Sequence, residues 1–304
     1  MRVLAVNAGS TSLKLHLVEA EEATVVEGWV DADAVGHRVV HGGERFRAPV
    51  EIDDEVESAI GELASIAPLH NTPALAAIRD ARRVLDNVPH VAVFDTAFHA
   101  TIPDRASTYA VPAQWREWGI RRYGFHGLSV EWVAGQVPVS RLVVCHLGGG
   151  CSITAVLDGR SVDTSMGFTP LEGVPMATRS GSVDPGALLY LLRERGVSSD
   201  ELGHALEHES GLLALGGSSD PRELAGTAAL ELYAYRIATT VGAMAVALGG
   251  LDALAFTGGV GEGSTDVRDR VCEHLGLFGA FDVVVVSARE ELVIARAVRG
   301  LLAG

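Results

Sequence analysis

The stretch LVVCHLGGGCSITAVL at residues 142–157 decides the fold. Its apolar start predicts a strand, its glycines predict a tight turn, and the alternation after them predicts a second strand. Residues 3–18 repeat this order, because VLAV is followed by NAGSTS and then by the alternating LKLHLV. Two halves that begin with the same hairpin indicate an ancient duplication into two similar α/β domains.

Strands and helices alternate along both halves. Apolar runs predict buried strands at 91–94 and 253–256. Amphipathic periodicity predicts helices at about 53–66, 73–85, 128–136, 184–195, 199–208, 227–248, from 264 onward, and at 287–302. This alternation predicts mostly parallel pairing beyond the hairpins, and the region around Pro138 is the predicted hinge between the halves.

The composition fits one large or two medium globular domains. Of the 304 residues 48% are hydrophobic, yet no stretch of about 18 residues is continuously apolar, so packed cores are predicted and a membrane span is not. The N-terminus becomes rich in glycine and serine too early for the apolar region of a signal peptide. The three cysteines form no C-x-x-C pair, which fits free thiols. Together these features predict a cytoplasmic protein.

The net charge of −15 argues against nucleic acid as a partner, because binding of a phosphate backbone needs a basic surface. Lys14 is the only lysine. A site for an anionic substrate must therefore be built from arginine, glycine-rich backbone and metal, against an unfavourable overall field.

Three glycine-rich turns follow apolar strands, at 7–12, 146–150 and 257–264. Backbone amides in such turns can bind phosphate oxygens. None of the three matches the Walker P-loop or the G-x-G-x-x-G pattern. Each alone favours a structural turn over phosphate binding, but three in one chain, two of them at duplicated positions, favour phosphate binding.

Two kinds of charged residue stand at positions suited to a ligand. Asp95 directly follows the predicted strand 91–94, so it lies where open α/β sheets carry their ligands; the alternative is an N-cap for the next turn. Arg38 and Arg179 each lie within two residues of a glycine. An arginine next to a glycine can approach a phosphate closely and bind it with two parallel hydrogen bonds. The alternative for either arginine is an ordinary surface cation.

Histidines and one glutamate have competing interpretations. His70 and His126 lie in predicted loops, where a histidine can donate to a phosphoryl oxygen or hydrogen-bond the local backbone. Glu290 completes the pattern Ser287-x-x-Glu290 ahead of an apolar run, which is a capping box and a purely structural explanation.

The familiar signatures of hydrolases and zinc sites are absent from the sequence, which has no G-x-S-x-G, H-E-x-x-H or C-x-x-C pattern. Arginines, glycine-rich turns and acids remain. Phosphoryl transfer needs this set, because it depends on positioning, charge neutralisation and a metal and requires little covalent chemistry of the protein.

Several blocks of sequence resemble the acetate kinase family, which belongs to the actin-like superfamily together with sugar kinases. The blocks are VNAGSTSLKL, HRVVHGGERF, APLHNTPAL, VAVFDTAFHATIP, RRYGFHGLS, CHLGGGCSITAV, SVDTSMGFTPLEGVPMATRSGSVDP, ESGLLALGGSSDPREL, FTGGVGEGS and EELVIA. The resemblance runs nearly from end to end, and the combination of FDTAFH, GFHG and DTSMGFTPLEG is highly specific.

The resemblance implies a fold and an activity. The expected fold is α/β, with two similar actin-like (ribonuclease H-like) domains from an ancient duplication and a cleft between them. We expect domains at 1–137 and 138–286, with the C-terminal helix at 287–304 packed on the first. The implied reaction is the reversible, Mg²⁺- or Mn²⁺-dependent transfer of the ATP γ-phosphoryl group to acetate, giving acetyl phosphate and ADP. The implied state is a homodimer, with no membrane or nucleic-acid partner.

Individual residues match functional positions of the family. The matches to catalytic positions are Asp95, Arg38, Arg179 and His126, and the two arginines would hold the carboxylate and the transferring phosphoryl group. The matches to the metal-associated positions are Asn7 and Glu290. Arg38 also matches the acetate site of the family. The small apolar pocket of that site is matched by Val40, Leu69, Phe125 and Pro170. The matches to the phosphate and nucleotide positions are Ser10, Ser12, Lys14, His70, His146, Gly148, Gly149, Gly150, Asp220, Arg222, Gly259 and Gly261.

The chain departs from the family pattern at the nucleotide side. The usual HLGNG is HLGGG here, so Gly149 replaces an asparagine; GEN is replaced by Glu262-Gly263; and Pro221 replaces a phenylalanine. The chain is also shorter than typical members. Two alternatives therefore stay open: a propionate or other short-chain acyl kinase, and a non-catalytic homologue that binds nucleotide or acyl phosphate.

Overall fold

Residues 1–8, 13–63 and 68–304 are described by the computed structural model, with the backbone alone for 68–70. The chain divides into two compact units. The first consists of residues 1–101, 111–132 and 289–304, and the second of residues 102–110 and 133–288. Among the described residues, no helix is both long and apolar enough to cross a membrane.

A six-stranded sheet forms the first unit. Its strands are Val3–Ala8 (β1), Leu13–Glu19 (β2), Glu22–Val25 (β3), Ala34–Val39 (β4), Val50–Glu51 (β5) and His90–Phe94 (β6). Their order in the sheet is β3-β2-β1-β4-β6-β5. β1, β2 and β3 form an antiparallel meander, and β4 and β6 extend it in parallel, as the hairpin and the alternation predict.

A five-stranded sheet forms the second unit. Its strands are Arg141–Leu147 (β7), Cys151–Leu157 (β8), Arg160–Thr164 (β9), Ala253–Thr257 (β10) and Asp282–Val285 (β11). Their order is β11-β10-β7-β8-β9, with an antiparallel meander of β7, β8 and β9 and parallel β10 and β11. This arrangement repeats β6-β4-β1-β2-β3 of the first unit. The predicted duplication into two similar α/β folds is therefore confirmed.

Helices alternate with the strands along the chain. They are Asp54–Glu62 (α1), Pro68–Val84 (α2), Asp104–Ser107 (α3), Ala113–Glu117 (α4), Gly127–Gln136 (α5), Pro185–Glu194 (α6), Ser199–His208 (α7), Gly211–Gly216 (α8), Ala228–Leu248 (α9), Gly258–Gly263 (α10), Thr265–Glu273 (α11) and Glu290–Ala303 (α12). The long helices lie where periodicity predicts them. The short α3, α4, α8 and α10 were not predicted, because four to six residues are too few for a periodic signal.

The sheet of the first unit is apolar on both faces, since successive residues of a strand point to opposite sides. Val3 and Ala5 of β1 pack in the cluster formed with α12, whereas Leu4 packs in the cluster that contains Ala77 of α2. At Gly36 of β4, a Cβ atom would lie 2.5 Å from the side chain of Ile294. The absence of a side chain there lets α12 approach the sheet closely.

Candidate active site

Three polar side chains of the first unit lie at the carboxyl ends of adjacent strands. Asn7 is near the end of β1, Arg38 is near the end of β4, and Asp95 directly follows β6. β1, β4 and β6 are neighbours and run parallel. Their carboxyl ends therefore meet at one edge of the sheet, which is where ligands of open α/β sheets bind.

Arg38 and Asp95 form a bidentate ion pair at this edge. The Arg38 Nη2 atom lies 2.6 Å from Oδ2 of Asp95, and Nε lies 3.2 and 3.1 Å from Oδ1 and Oδ2. Asp95 is fully buried, and its carboxylate also accepts a hydrogen bond from the Leu128 amide. Burial raises the pKa of Asp95, against the opposing effects of Arg38 and the Leu128 amide.

The other side of the same guanidinium binds two more residues. Arg38 Nη1 donates to Oδ1 of Asn7 at 3.0 Å and lies 3.3 Å from Oε2 of Glu290. The Asn7 amide in turn donates to Glu290 Oε2 at 2.9 Å, which closes a ring of three side chains. Burial acts to lower the pKa of Arg38, but Asp95 and Glu290 together outweigh burial and raise it, so the side chain stays cationic.

The capping-box interpretation of Glu290 is wrong. Helix α12 begins at Glu290 itself, and the residue before it, Arg289, is the N-cap and makes no side-chain cap hydrogen bond. The Glu290 carboxylate instead contacts Asn7 and Arg38. A charge-assisted contact with a half-buried guanidinium is stronger than a neutral cap, so the tertiary partners prevail over the local pattern.

The chemistry of Asn7 and Glu290 fits Mg²⁺. An amide oxygen and a carboxylate are oxygen donors, and Mg²⁺ in proteins is usually held by one or two carboxylates, substrate phosphates and water. Among the described residues no group of three or more histidine, cysteine and acidic side chains could hold a metal alone. A metal at this edge would therefore be completed by oxygens of a phosphate substrate.

The GFHG block brings α5 against Asp95. A Cβ atom at Gly127 would lie 1.9 Å from the backbone oxygen of Asp95, so only glycine fits there. This close approach places the Leu128 amide on the Asp95 carboxylate. His126 precedes α5 with φ of 59° and is half-buried, so its predicted loop position is confirmed.

The residues expected around an acyl group are only partly described. Val40 and Phe125 are buried in the first unit, with 5% and 1% of their surface exposed, and Pro170 belongs to the second unit. Ser10 and Ser12 lie outside the described residues, as do the side chains of Leu69 and His70.

The backbone at His70 corrects one prediction. His70 lies in the first turn of α2 and not in a loop. Proline is favoured at the first position of a helix, and the segment contains both Pro68 and Pro73. The apolar periodicity predicts a helix that begins at the second proline, whereas the observed helix begins at the first.

Two hydrogen bonds join Asn71 to the backbone of His41, next to β4, and were not predicted from the sequence. The fully buried Asn71 accepts a hydrogen bond from the His41 amide and donates to its carbonyl oxygen, both at 3.1 Å. The His41 ring lies edge-on to Phe125, 5.5 Å between centroids. The one signal for Asn71 in the sequence is its position inside the APLHN block, directly after His70.

Lys14 lies on β2 directly opposite Asn7 and is exposed. Directly paired residues of antiparallel strands point to the same face of the sheet. The structure thus puts the only lysine on the same side of the sheet as Asn7.

In the second unit, Arg179 is partly buried and its Nη1 atom lies 3.5 Å from the carbonyl oxygen of Pro170. Burial lowers the pKa of Arg179, although an arginine remains charged in proteins. The segment that carries Pro170 is braced by a hydrogen bond from Tyr109 to Glu172 and by one from the Phe168 amide to the Tyr109 hydroxyl at 3.0 Å. This brace was not predicted, because nothing in the sequence links Tyr109 to residues about sixty positions away.

Five of the predicted nucleotide residues line one cavity of about 270 Å³ in the second unit. They are Gly148, Gly149, Asp220, Arg222 and Gly259. The remaining lining residues are Pro221, Val260, Gly263 and Ser264.

Three other predicted nucleotide residues lie close to this cavity without lining it. The Nε2 atom of His146 is within 3.2 Å of a Cβ built on Gly258, and the Gly150 carbonyl accepts the Gly148 amide at 3.0 Å. Gly261 is buried against β7.

The Glu262 side chain accepts two backbone hydrogen bonds at the glycine-rich turn after β10, a role that was not predicted from the sequence. Its Oε1 atom accepts the amides of Gly258 at 3.1 Å and of Ala288 at 3.0 Å. Gly258 has φ of 78°, and a Cβ there would lie 2.7 Å from the Leu147 carbonyl, so the turn needs glycine at this point.

This chain is similar to known proteins over most of its length. The Acetokinase family matches residues 23–295. An acetate kinase of Protochlamydia amoebophila is 45% identical over 290 residues, covering 89% of this chain and 73% of that protein. An acetate kinase of Nostoc punctiforme is 47% identical over 283 residues, covering 87% and 70%.

Two solved structures are similar over nearly their whole length. Porphyromonas gingivalis acetate kinase has a TM-score of 0.90 at 32% identity, covering 99% of both chains. A propionate kinase from Francisella tularensis has a TM-score of 0.89 at 32% identity, covering 97% of this chain and 98% of that one. With an arginine-centred acidic site on a duplicated α/β fold and a family match across most of its length, this chain belongs to the acetokinase family.

Proposed function

We propose that this protein is an acetate kinase, which transfers the γ-phosphoryl group of ATP reversibly to acetate and gives acetyl phosphate and ADP. The observation that carries the proposal is the ring of Arg38, Asn7 and Glu290 with Asp95 behind it, in a chain of the acetokinase family. A fixed cation next to oxygen donors supplies the charge neutralisation that phosphoryl transfer requires.

The proposed chemistry needs no proton transfer. An oxygen of the acceptor carboxylate, already an anion, forms a bond to the γ-phosphorus, and the bond from that phosphorus to the oxygen shared with the β-phosphate breaks. Arg38 and His126 would neutralise the charge on the transferring group, and we propose the same role for Arg179. Bound Mg²⁺, held by Asn7 and Glu290, would lower the charge repulsion between the phosphates and the carboxylate.

Asp95 acts through Arg38 in this proposal. Its fully buried carboxylate is occupied by two nitrogens of the guanidinium and by the Leu128 amide. This arrangement fixes the plane of the guanidinium and directs Nη1 toward Asn7 and Glu290. We therefore propose Asp95 as a positioning residue.

The nucleotide would occupy the second unit. We propose that the cavity lined by Gly149, Asp220 and Gly259 takes the adenosine part, since about 270 Å³ is less than the ~300–1,000 Å³ of sites for whole drug-sized ligands. The neighbouring His146 and Gly148 to Gly150 would contact phosphates, together with Lys14, Ser10, Ser12 and His70 of the first unit.

A propionate kinase is the second candidate, because a solved propionate kinase is as similar in structure as a solved acetate kinase. Val40, Leu69, Phe125 and Pro170 are the proposed acyl pocket. One methylene group in an apolar pocket changes discrimination by about 1–3 kcal/mol, so acetate is the proposed substrate and propionate a close competitor.

The experiment is a hydroxamate assay of acyl-phosphate formation with ATP and Mg²⁺, run with acetate, propionate and butyrate side by side. The highest kcat/KM with acetate is expected. A higher value with propionate would favour the second candidate. Binding of ADP without any acyl phosphate from the three acids would indicate the non-catalytic homologue, and a parallel series with Mn²⁺ decides the metal preference.

The remaining proposals concern the setting of the reaction. We propose a homodimer, because helix α6 has no buried residue although it is apolar, with Leu189 and Tyr190 exposed by 45% and 48%. We propose the cytoplasm because the chain's three cysteines fit free thiols. We also propose domain limits of 1–137 and 138–286. Light scattering on the purified protein tests the dimer.

A further inference from the structure

The segment after β9 in the second unit forms a loop at residues 165–173 whose two ends meet. At its first end, the Ser165 hydroxyl accepts the Ile153 amide of β8 at 2.9 Å. A Cβ atom built on Gly173, at the other end, would lie 3.0 Å from the Ser165 carbonyl oxygen. Gly173 also donates its amide to the Ser182 hydroxyl at 3.1 Å and accepts the Ser182 amide at 2.8 Å. The base of the loop is therefore fixed next to the sheet.

One hydroxyl group joins the two sides of this loop. The Tyr109 hydroxyl accepts the Phe168 amide at 3.0 Å on the first side and donates to Oε2 of Glu172 on the second. A phenol has one O–H donor and can accept as well, so both capacities are used here. A Cβ atom at Gly167 would overlap both the Tyr109 hydroxyl and the Glu172 carboxylate, so a larger residue there would displace this contact.

Residues 169–171 form the tip of the loop, between the two sides that Tyr109 joins. Pro170 is the middle residue of the tip, and its carbonyl oxygen lies 3.5 Å from Nη1 of Arg179. The Arg179 backbone is held separately, because its carbonyl oxygen accepts the Met176 amide at 3.0 Å. The position of the tip therefore affects both the Pro170 ring and the end of the Arg179 side chain.

We propose that Tyr109 and Glu172 are positioning residues that hold this tip in place for the acceptor acid, and that they thereby set the affinity for acetate and its discrimination from propionate. This role deepens the proposed function and rests on it, because Pro170 is assigned there to the acyl pocket and Arg179 to the transferring group. Both residues act through the tip and not by touching substrate. A misplacement of about 1 Å in a binding group can cost about 10²-fold in rate, so a contact behind the site can control it.

Tyr109→Phe is the first variant, because it removes the hydroxyl and keeps the ring. In the hydroxamate assay we expect kcat/KM for acetate to fall by about 10–100-fold, mainly through a higher KM for acetate. A displaced tip opens the pocket to the larger acid, so the ratio of kcat/KM for acetate to that for propionate should fall by at least about threefold. The Kd of ADP, measured by calorimetry with Mg²⁺, should stay within about twofold of the wild-type value, because Tyr109 and Glu172 do not line the proposed nucleotide cavity.

Two variants of Glu172 test the same contact without changing the tyrosine. Glu172→Gln keeps an oxygen that can accept the Tyr109 hydroxyl, so its KM for acetate should stay within about threefold of the wild-type value. Glu172→Ala removes the acceptor and should behave like Tyr109→Phe. Equal KM values for the two Glu172 variants overturn the inference. Tyr235→Phe is the matched control: it removes the hydroxyl of a tyrosine that is 49% exposed on α9 of the same unit, and it should keep the wild-type values.

Failure of the inference and failure of the proposed function give different results. A higher KM for acetate in Tyr109→Phe and Glu172→Ala, with an active wild type and unchanged ADP binding, supports both. An active wild type and a Tyr109→Phe variant that is less stable to urea but keeps the wild-type KM for acetate and the wild-type ratio between the two acids overturns the inference alone, because the contact is then only structural. A wild type that forms no acyl phosphate from any acid overturns the proposed function and the inference with it.

Discussion

Substitution of Asp95 by asparagine tests the role of the buried ion pair. The change keeps the size of the side chain but removes its charge and turns an NH₂ group toward the donors of Arg38. Breaking a buried pair by removing one partner costs about 3–5 kcal/mol of the free energy of unfolding. A second estimate agrees: hydrogen bonds to charged groups contribute about 1.5–3 kcal/mol each, and the contacts of Nε and Nη2 are both weakened.

The same change should lower activity, because Arg38 loses the carboxylate that fixes its plane. We expect kcat for acetyl phosphate formation to fall by about 10²–10³, the range for loss of one preorganised donor, with a smaller change in the KM for ATP. Urea unfolding gives the stability and the hydroxamate assay gives kcat and KM.

The matched control is Asp252→Asn. Asp252 also accepts hydrogen bonds from two guanidinium nitrogens of one arginine, Arg141, whose Nε lies 2.9 Å from Oδ1 and whose Nη2 donates to the same oxygen. This pair is more open to solvent, with 41% of the Arg141 side chain and 30% of the Asp252 side chain exposed, and it lies in the second unit. Ion pairs open to solvent add little stability, so the control should stay close to the wild type in unfolding and in turnover. If Asp95→Asn matched this control in both measurements, the assignment of Asp95 as the residue that positions Arg38 would be refuted.

Three further substitutions test other parts of the structure. Burial lowers the pKa of His37 from 6.5 to about 3, so the unfolded chain takes up a proton before the folded chain does as the pH falls. The contribution of His37 to the free energy of unfolding is complete above about pH 6.5 and is lost toward pH 3, by up to ~1.4 kcal/mol per pH unit. Urea unfolding of His37→Gln should therefore show a free energy of unfolding that depends less steeply on pH across this range. Gly127→Ala should cost about 1–3 kcal/mol in urea unfolding, because its Cβ would lie 1.9 Å from the Asp95 oxygen, whereas Gly135→Ala on the same helix meets nothing within 4 Å and should not destabilise; equal effects would contradict the close approach. Arg179→Ala should lower kcat in the hydroxamate assay by at least about 100-fold, and near-normal turnover of a folded variant would remove Arg179 from the mechanism.

The sequence predicts the sheets well, because their pattern is local. An alternating strand, a glycine turn and a second strand can be identified within sixteen residues, and the observed register pairs Cys145 with Ile153 and Val6 with Leu15 as such hairpins require. The position of Asp95 at a strand end follows from the same local pattern.

The contacts of the candidate site could not be predicted from local patterns. Arg38 and Asp95 are 57 positions apart, and Asn7 and Glu290 are 283 positions apart. The resemblance to a family selected these residues, but only the fold shows that one guanidinium joins them. At Glu290 the local pattern even favoured a different, structural explanation.

Backbone details escaped prediction for a related reason. The glycine-rich segment after β10 forms the short helix α10, and the Glu262 carboxylate accepts the Gly258 amide at its start. Glycine is a poor helix former, so propensity predicts a turn there. Propensity takes no account of a side-chain contact of this kind.

The central claim is that this chain forms an acyl phosphate from ATP and a short carboxylate at a site organised by Arg38. The most direct measurement is the initial rate of acetyl phosphate formation by the purified protein with ATP, acetate and Mg²⁺, compared with Arg38→Lys, which keeps the charge but cannot donate to Asp95 and Asn7 with the same planar geometry. We predict steady product formation by the wild type and a rate at least about 100-fold lower for the variant. The acetate concentration is varied for both proteins, so that a lower rate at saturation is distinguished from weaker acetate binding. A wild-type protein that binds ADP but forms no acyl phosphate, or a variant as active as the wild type, would contradict the account.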